Sequence, residues 1–112
     1  MLKKKERLTR GQFDECFKKG KKIRGYHLDL SYTPSTNFHG AVVVGKRVYK
    51  RAVDRNKLRR QIYNLVYNLK KNNDIKGVFI ILTKPPVSTL KYADLKNEVQ
   101  GLLAKAVGWR LE

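Results

Sequence analysis

The clearest periodicity along the chain is an apolar stripe at Leu58, Ile62, Leu65, Val66 and Leu69, spaced i, i+4, i+7, i+8 and i+11. It predicts a long amphipathic helix that ends at Asn72 and Asn73. A second stripe, Tyr92, Leu95, Val99, Leu102, Leu103 and Ala106, predicts a last helix starting near Ser88 or Thr89, after Pro85 and Pro86 break the chain. Near the N-terminus, Thr9 and Gln12 fit a capping box for a helix that runs to about Lys19 and stops at Gly20.

Strand patterns fill the space between. Tyr26, Leu28, Leu30 and Tyr32 alternate with His27, Asp29 and Ser31, so this strand buries one side. After a turn at Pro34 to Asn37, the β-branched run from Gly40 to Gly45 is expected to pair antiparallel with it. Val78 to Leu82 is apolar throughout and reads as a central strand buried on both faces. At 112 residues these elements make one domain, with a basic arm at 1–7 and a short tail at 108–112.

Charge changes the picture. The chain carries 26 Lys and Arg against 9 Asp and Glu, a formal net charge of +17. Such an excess repels itself in the compact state and is easiest to understand if a polyanion neutralises it, nucleic acid foremost. A membrane surface is disfavoured, because Trp109 sits far from the basic stretch and the longest apolar runs are too short to span a bilayer. A single cysteine, Cys16, excludes an internal disulfide and fits a reducing, cytoplasmic setting.

The charge is concentrated. Between Lys46 and Arg60 eight Lys or Arg face one acid, Asp54, and the run passes directly into the long helical stripe. Free backbone N–H groups, the positive end of the helix dipole and a guanidinium cluster meet there, which together make a phosphate-backbone site. Arg55 projects near the edge of the apolar stripe, so its exposure requires the chain to overhang the sheet edge. Phe13 and Phe17 lie one turn apart on the first helix, flanked by Arg10, Lys18, Lys19, Lys21 and Lys22. Such pairs usually pack in a core, and a stacking platform for unpaired bases is the alternative.

His27 and His39 lack carboxylate partners at ligand or triad spacing and read as ordinary polar positions. No paired carboxylates, His or Cys ligand set, Walker loop or activated serine appears. No catalytic and no metal-ligating residues are expected in the chain.

Taken together, RLTRGQFDECFKKG, GKRVYKRAVDRNKLRRQI and VFIILTKPPVSTLKYADL resemble the bacterial ribonuclease P protein component, from about Arg7 to Ala106. AVDRNKLRR is the most specific segment. The resemblance implies an α/β two-layer sandwich of order αβββαβα, with a central mixed sheet and a left-handed crossover, similar to the second domain of a small-subunit ribosomal protein. It implies a subunit that binds a catalytic RNA and the 5′ leader of precursor tRNA, with Mg²⁺ held mainly by the RNA and no obligate protein partner. Lys46, Arg47, Arg55, Asn56, Lys57, Arg59 and Arg60 match family positions that would face the catalytic RNA and its phosphates, and Arg51 joins them by its place in the basic run. Phe13 and Phe17, with Arg10, would line a leader cleft.

The chain departs from the family pattern at Lys57 for the usual Arg, at Lys50 and Arg51 for Gly-Asn, and at Tyr63 and Asn64 for an Arg-Glu-like pair. The rival is a structural rRNA-binding protein without a role in cleavage. The two part on whether the Phe13 and Phe17 face is exposed beside a basic groove or sealed in the core.

Overall fold

The computed structural model describes residues 10–108. The basic arm, the Thr9 cap and the tail from Trp109 onward lie outside them. Helix α1 (Arg10–Lys19) leads into strands β1 (Lys21–Arg24), β2 (Leu28–Thr33) and β3 (Phe38–Val43). Helix α2 (Ala52–Asn73), strand β4 (Gly77–Thr83), a 3-10 turn over Pro85–Thr89 and helix α3 (Tyr92–Val107) follow. The order αβββαβα is as expected.

The sheet order is β1-β2-β4-β3. β4 runs antiparallel to β2 and parallel to β3, with Leu30 opposite Ile81 and Ile81 opposite Val42. The expected pairing of β2 with β3 is therefore wrong: β4 inserts between them. Its apolar run explains why, since Val78 to Ile81 is buried on both faces and an edge would leave one row of backbone groups and side chains to water.

Helices α2 and α3 cover one face of the sheet. All five residues of the α2 stripe are buried, as are Leu95, Val99, Leu102 and Leu103 of α3. They close on Leu28, Leu30, Phe79 and Ile81 in one core. The last helix starts later than expected, at Tyr92, because the two prolines enter the 3-10 turn and bury Val87 first. Tyr92 consequently leaves the stripe and is exposed.

Helix α1 lies on the opposite face, over β2 and β4. Its C-terminal end comes so close that a Cβ on Gly20 would sit 2.3 Å from Ser31 Oγ and 2.7 Å from the Cys16 carbonyl oxygen. Ser31, expected on the open side of its strand, is buried beneath this end. The strand begins at Leu28 rather than Tyr26, which projects into solvent.

Candidate RNA interface

The basic motif occupies the loop after β3 and the first turns of α2. Val48 N–H donates to the Gly45 carbonyl at 3.1 Å, turning the chain so that Lys46 and Arg47 face solvent while Val48 is buried. Arg51 stands at the helix N-cap in extended conformation, and no side chain caps the first turn. The first amides of α2 are thus left without a side-chain cap, and Lys46, Arg47, Lys50, Asn56, Lys57 and Arg60 are all exposed.

Four predicted contact residues, Arg51, Arg55, Asn56 and Arg59, are engaged within the chain. Arg51 Nε and Nη2 donate to the Asp54 carboxylate at 2.9 and 3.2 Å. This hydrogen bond holds the Asp54 carboxyl below its usual range and raises the Arg51 guanidinium above its own. Arg59 Nη1 donates to Asn56 Oδ1 at 2.6 Å. Arg55 Nη1 donates to the Tyr49 and Lys50 carbonyls at 3.0 and 2.6 Å. Arg55 is half-buried, so the exposure that would require an overhanging chain is not met; it folds back and ties the basic loop to the helix.

Tyr63 has a structural task. Its hydroxyl accepts from the Val42 N–H at 3.2 Å, satisfying one backbone donor on the outer edge of β3. Asn64 is exposed.

On the other face, α1 contributes no fully buried residue. Phe13 and Phe17 are half-exposed, with ring centroids 5.8 Å apart and planes 8° from parallel. Lys22 Nζ stands 3.6 Å from the centre of the Phe17 ring and donates to Ser31 Oγ at 3.1 Å and to the Phe17 carbonyl. Arg10 is exposed at the start of the helix. The pairing register aligns Lys22, Ser31, Ile80 and Ala41 across this face, followed by Arg24, Asp29, Leu82 and Val43. Val43 remains exposed and Ala41 and Leu82 half-covered, leaving an apolar strip on the face that α1 only partly covers. The aromatic pair is therefore not sealed in the core.

His27 has a carboxylate partner in the fold, though none at ligand or triad spacing. Its Nδ1 lies 2.8 Å from Glu98 Oε1, and its backbone N–H donates to Glu98 Oε2 at 2.9 Å. The partner lies 71 positions away, beyond any sequence spacing rule. Lys22 over Phe17 was likewise missed, since β1 is only four residues long and shows no clear alternation.

Fold and surface together define a small basic α/β protein with an uncapped, cation-rich helix start at one end of its sheet and a half-exposed aromatic pair on one face. A family model described as Ribonuclease P matches residues 2–107, and the chain belongs to that family of ribonuclease P protein components. The ribonuclease P protein component of Bacillus cereus (strain AH187) is 31% identical over 104 residues, covering 88% of this chain and 88% of its own length. That of Prochlorococcus marinus (strain AS9601) is 37% identical over 70 residues, 62% of this chain, and the matched stretch spans half of that relative's length.

A mutant of the Staphylococcus aureus RNase P protein superposes with a TM-score of 0.83 at 19% identity, covering 93% of this chain and 90% of its own. The Thermotoga maritima protein gives 0.79 at 20% identity, covering 89% and 96%. At these identities the two structures establish the shared fold.

Proposed function

We propose that the chain works as the protein subunit of ribonuclease P, binding the catalytic RNA through the start of α2 and the 5′ leader of precursor tRNA through the α1 face, and promoting removal of the leader. The observation that carries this reading is the half-exposed, near-parallel Phe13 and Phe17 pair with Lys22 against it. An aromatic face accepts any base, and an adjacent ammonium group suits the phosphates between bases. A purely structural rRNA binder needs no such open platform.

The reaction is hydrolysis of an RNA phosphodiester, and Mg²⁺ supplies activation of water and stabilisation of the leaving oxygen. The side chains present do not suit a magnesium cage. Asp29 is paired with Lys84 at 3.0 Å, Asp54 with Arg51 and Glu98 with His27. Among the described residues no group of three His, Cys, Asp or Glu could hold a metal. Asp29, Asp54 and His39, the nearest candidates for a protein-borne nuclease site, do not converge. Asp29 and His39 stand four register rows apart, about 13 Å along the strands, on strands separated by β4.

In this reading the metal ions belong to the RNA, and the protein contributes electrostatics and grip. No described helix is long and apolar enough to cross a membrane, and a cytoplasmic ribonucleoprotein agrees with that. Affinity of the reconstituted holoenzyme for precursor tRNA, with and without a leader, tests the reading. Phe13→Ala and Phe17→Ala are expected to weaken the leader-bearing substrate by about five- to a hundredfold and spare the leaderless one. Equal losses on both substrates would contradict leader contact at this face.

A further inference from the structure

Tyr26 is 76% exposed, more than Val53 at 60% or Tyr92 at 53%, and the contacts described above leave it without a task. It sits at the tip of the turn between β1 and β2. That turn is held from several sides. Gly25 N–H donates to Asp29 Oδ1 at 3.2 Å, and Lys84 Nζ bridges Asp29 Oδ1 at 3.0 Å and the Gly25 carbonyl at 2.8 Å. Lys84 N–H donates to the His27 carbonyl at 3.0 Å, and Glu98 takes both the His27 N–H and its ring nitrogen. The His27 ring in turn stands edge-on to Tyr26, centroids 4.6 Å apart. In a chain with only nine acids, two of them fix this three-residue turn.

Position adds to the case. Leu28 pairs with Thr83 and Val43 with Leu82, so the turn and the C-terminal ends of β3 and β4 lie at the same end of the sheet. The loop carrying Lys46, Arg47 and Lys50 leaves from that end. The turn and the loop are separated by two strand spacings, about 10 Å. Arg24, exposed, precedes the turn. A held, exposed aromatic ring at a cation-rich end of the molecule has the features of a base-stacking contact: a π-face for any base, phosphate partners beside it, and little ordering cost on binding.

We infer that Tyr26 is a second nucleotide-contacting residue, distinct from the α1 face, whose ring stacks on an unpaired base of RNA running past the β1–β2 turn toward the basic loop. The strand would come from the catalytic RNA or from the precursor tRNA; the chemistry is the same. The inference rests on the ribonuclease P reading for its partner.

The test compares wild-type protein, Tyr26→Ala and Tyr26→Phe, with two measurements at several salt concentrations: affinity for the catalytic RNA, and affinity of the holoenzyme for precursor tRNA. Because the side chain is exposed, both variants should melt at the wild-type temperature. Tyr26→Ala is expected to lose about five- to a hundredfold on one of the two RNAs, which identifies the source of the base, while Tyr26→Phe keeps most of the affinity. The slope of log affinity against log salt should stay the same, because no phosphate contact is removed.

Wild-type affinity for both RNAs in Tyr26→Ala would overturn the inference, as would a loss in Tyr26→Phe equal to that in Tyr26→Ala, or a flattened salt slope. If the wild-type protein itself bound neither RNA, the ribonuclease P reading would fail together with it.

Discussion

Arg55 has a structural role beside the RNA contact proposed for it, and a sequence cannot separate the two. Its place at the margin of the apolar stripe follows from 100° per residue, but its partners do not, because the Tyr49 and Lys50 carbonyls come within reach only through the turn closed by Val48 N–H and the Gly45 carbonyl. Arg55→Ala should therefore lower both RNA affinity and stability, the latter by about 1 kcal/mol for the lost charged hydrogen bonds. Arg60→Ala, at an exposed position, should lower affinity alone; parallel melting and binding curves distinguish the two. In the proposed RNA interface, Asp54 would compete with phosphate for Arg51. Its carboxylate occupies the Arg51 guanidinium, so Asp54→Asn should raise affinity for the catalytic RNA severalfold and steepen its salt dependence.

The pH dependence of the Arg51–Asp54 pair has a definite sign. The folded-state pKa of Asp54 is depressed, so the pair's contribution is present above the ordinary value of 3.8 and is lost as pH falls through the lower folded value. The difference in melting temperature between wild type and Asp54→Asn should shrink in that acid window and stay constant above it. A difference growing toward low pH would mean that the pair does not stabilise the folded chain.

At the scale of elements, the helices were legible and the strand pairing was not. The α2 stripe and its end at Asn73 follow from spacing alone, since all five stripe residues are buried. Neighbouring strands commonly pair, which misplaces β3; only the two-sided burial of β4 signals that it belongs between β2 and β3. β1 is too short to announce itself, and it entered through the family order. Its Lys22 lies against the Phe17 ring, so part of the α1 face is illegible for the same reason.

The close seating of α1 also depends on tertiary contact. Gly20 reads as an ordinary helix stop, but its lack of a side chain admits Ser31 beneath it. Gly20→Ala must push either the Cys16 carbonyl or the strand, and a destabilisation of about 1–3 kcal/mol by denaturant unfolding is expected. Leader affinity should fall with it, because α1 carries both phenylalanines. An unchanged midpoint would show that the helix seats more loosely than these distances state.

For the whole molecule, part of the charge of +17 is gathered on two described surfaces. The start of α2 gathers exposed cations around an uncapped helix end, and the α1 face sets Lys22 and Arg24 beside an apolar strip. If about six phosphates are neutralised, log affinity for the catalytic RNA should fall with log salt at a slope of about −4 to −5. A slope near zero would contradict phosphate docking.

As proposed above, this protein assists a catalytic RNA rather than cutting RNA by itself. Cleavage of precursor tRNA at low Mg²⁺, by the RNA alone, the protein alone and the two together, tests it most directly. No cleavage by protein alone, little by RNA alone and a clear rise on combining them are expected. Cleavage by protein alone, or no rise on combination, would contradict the proposal.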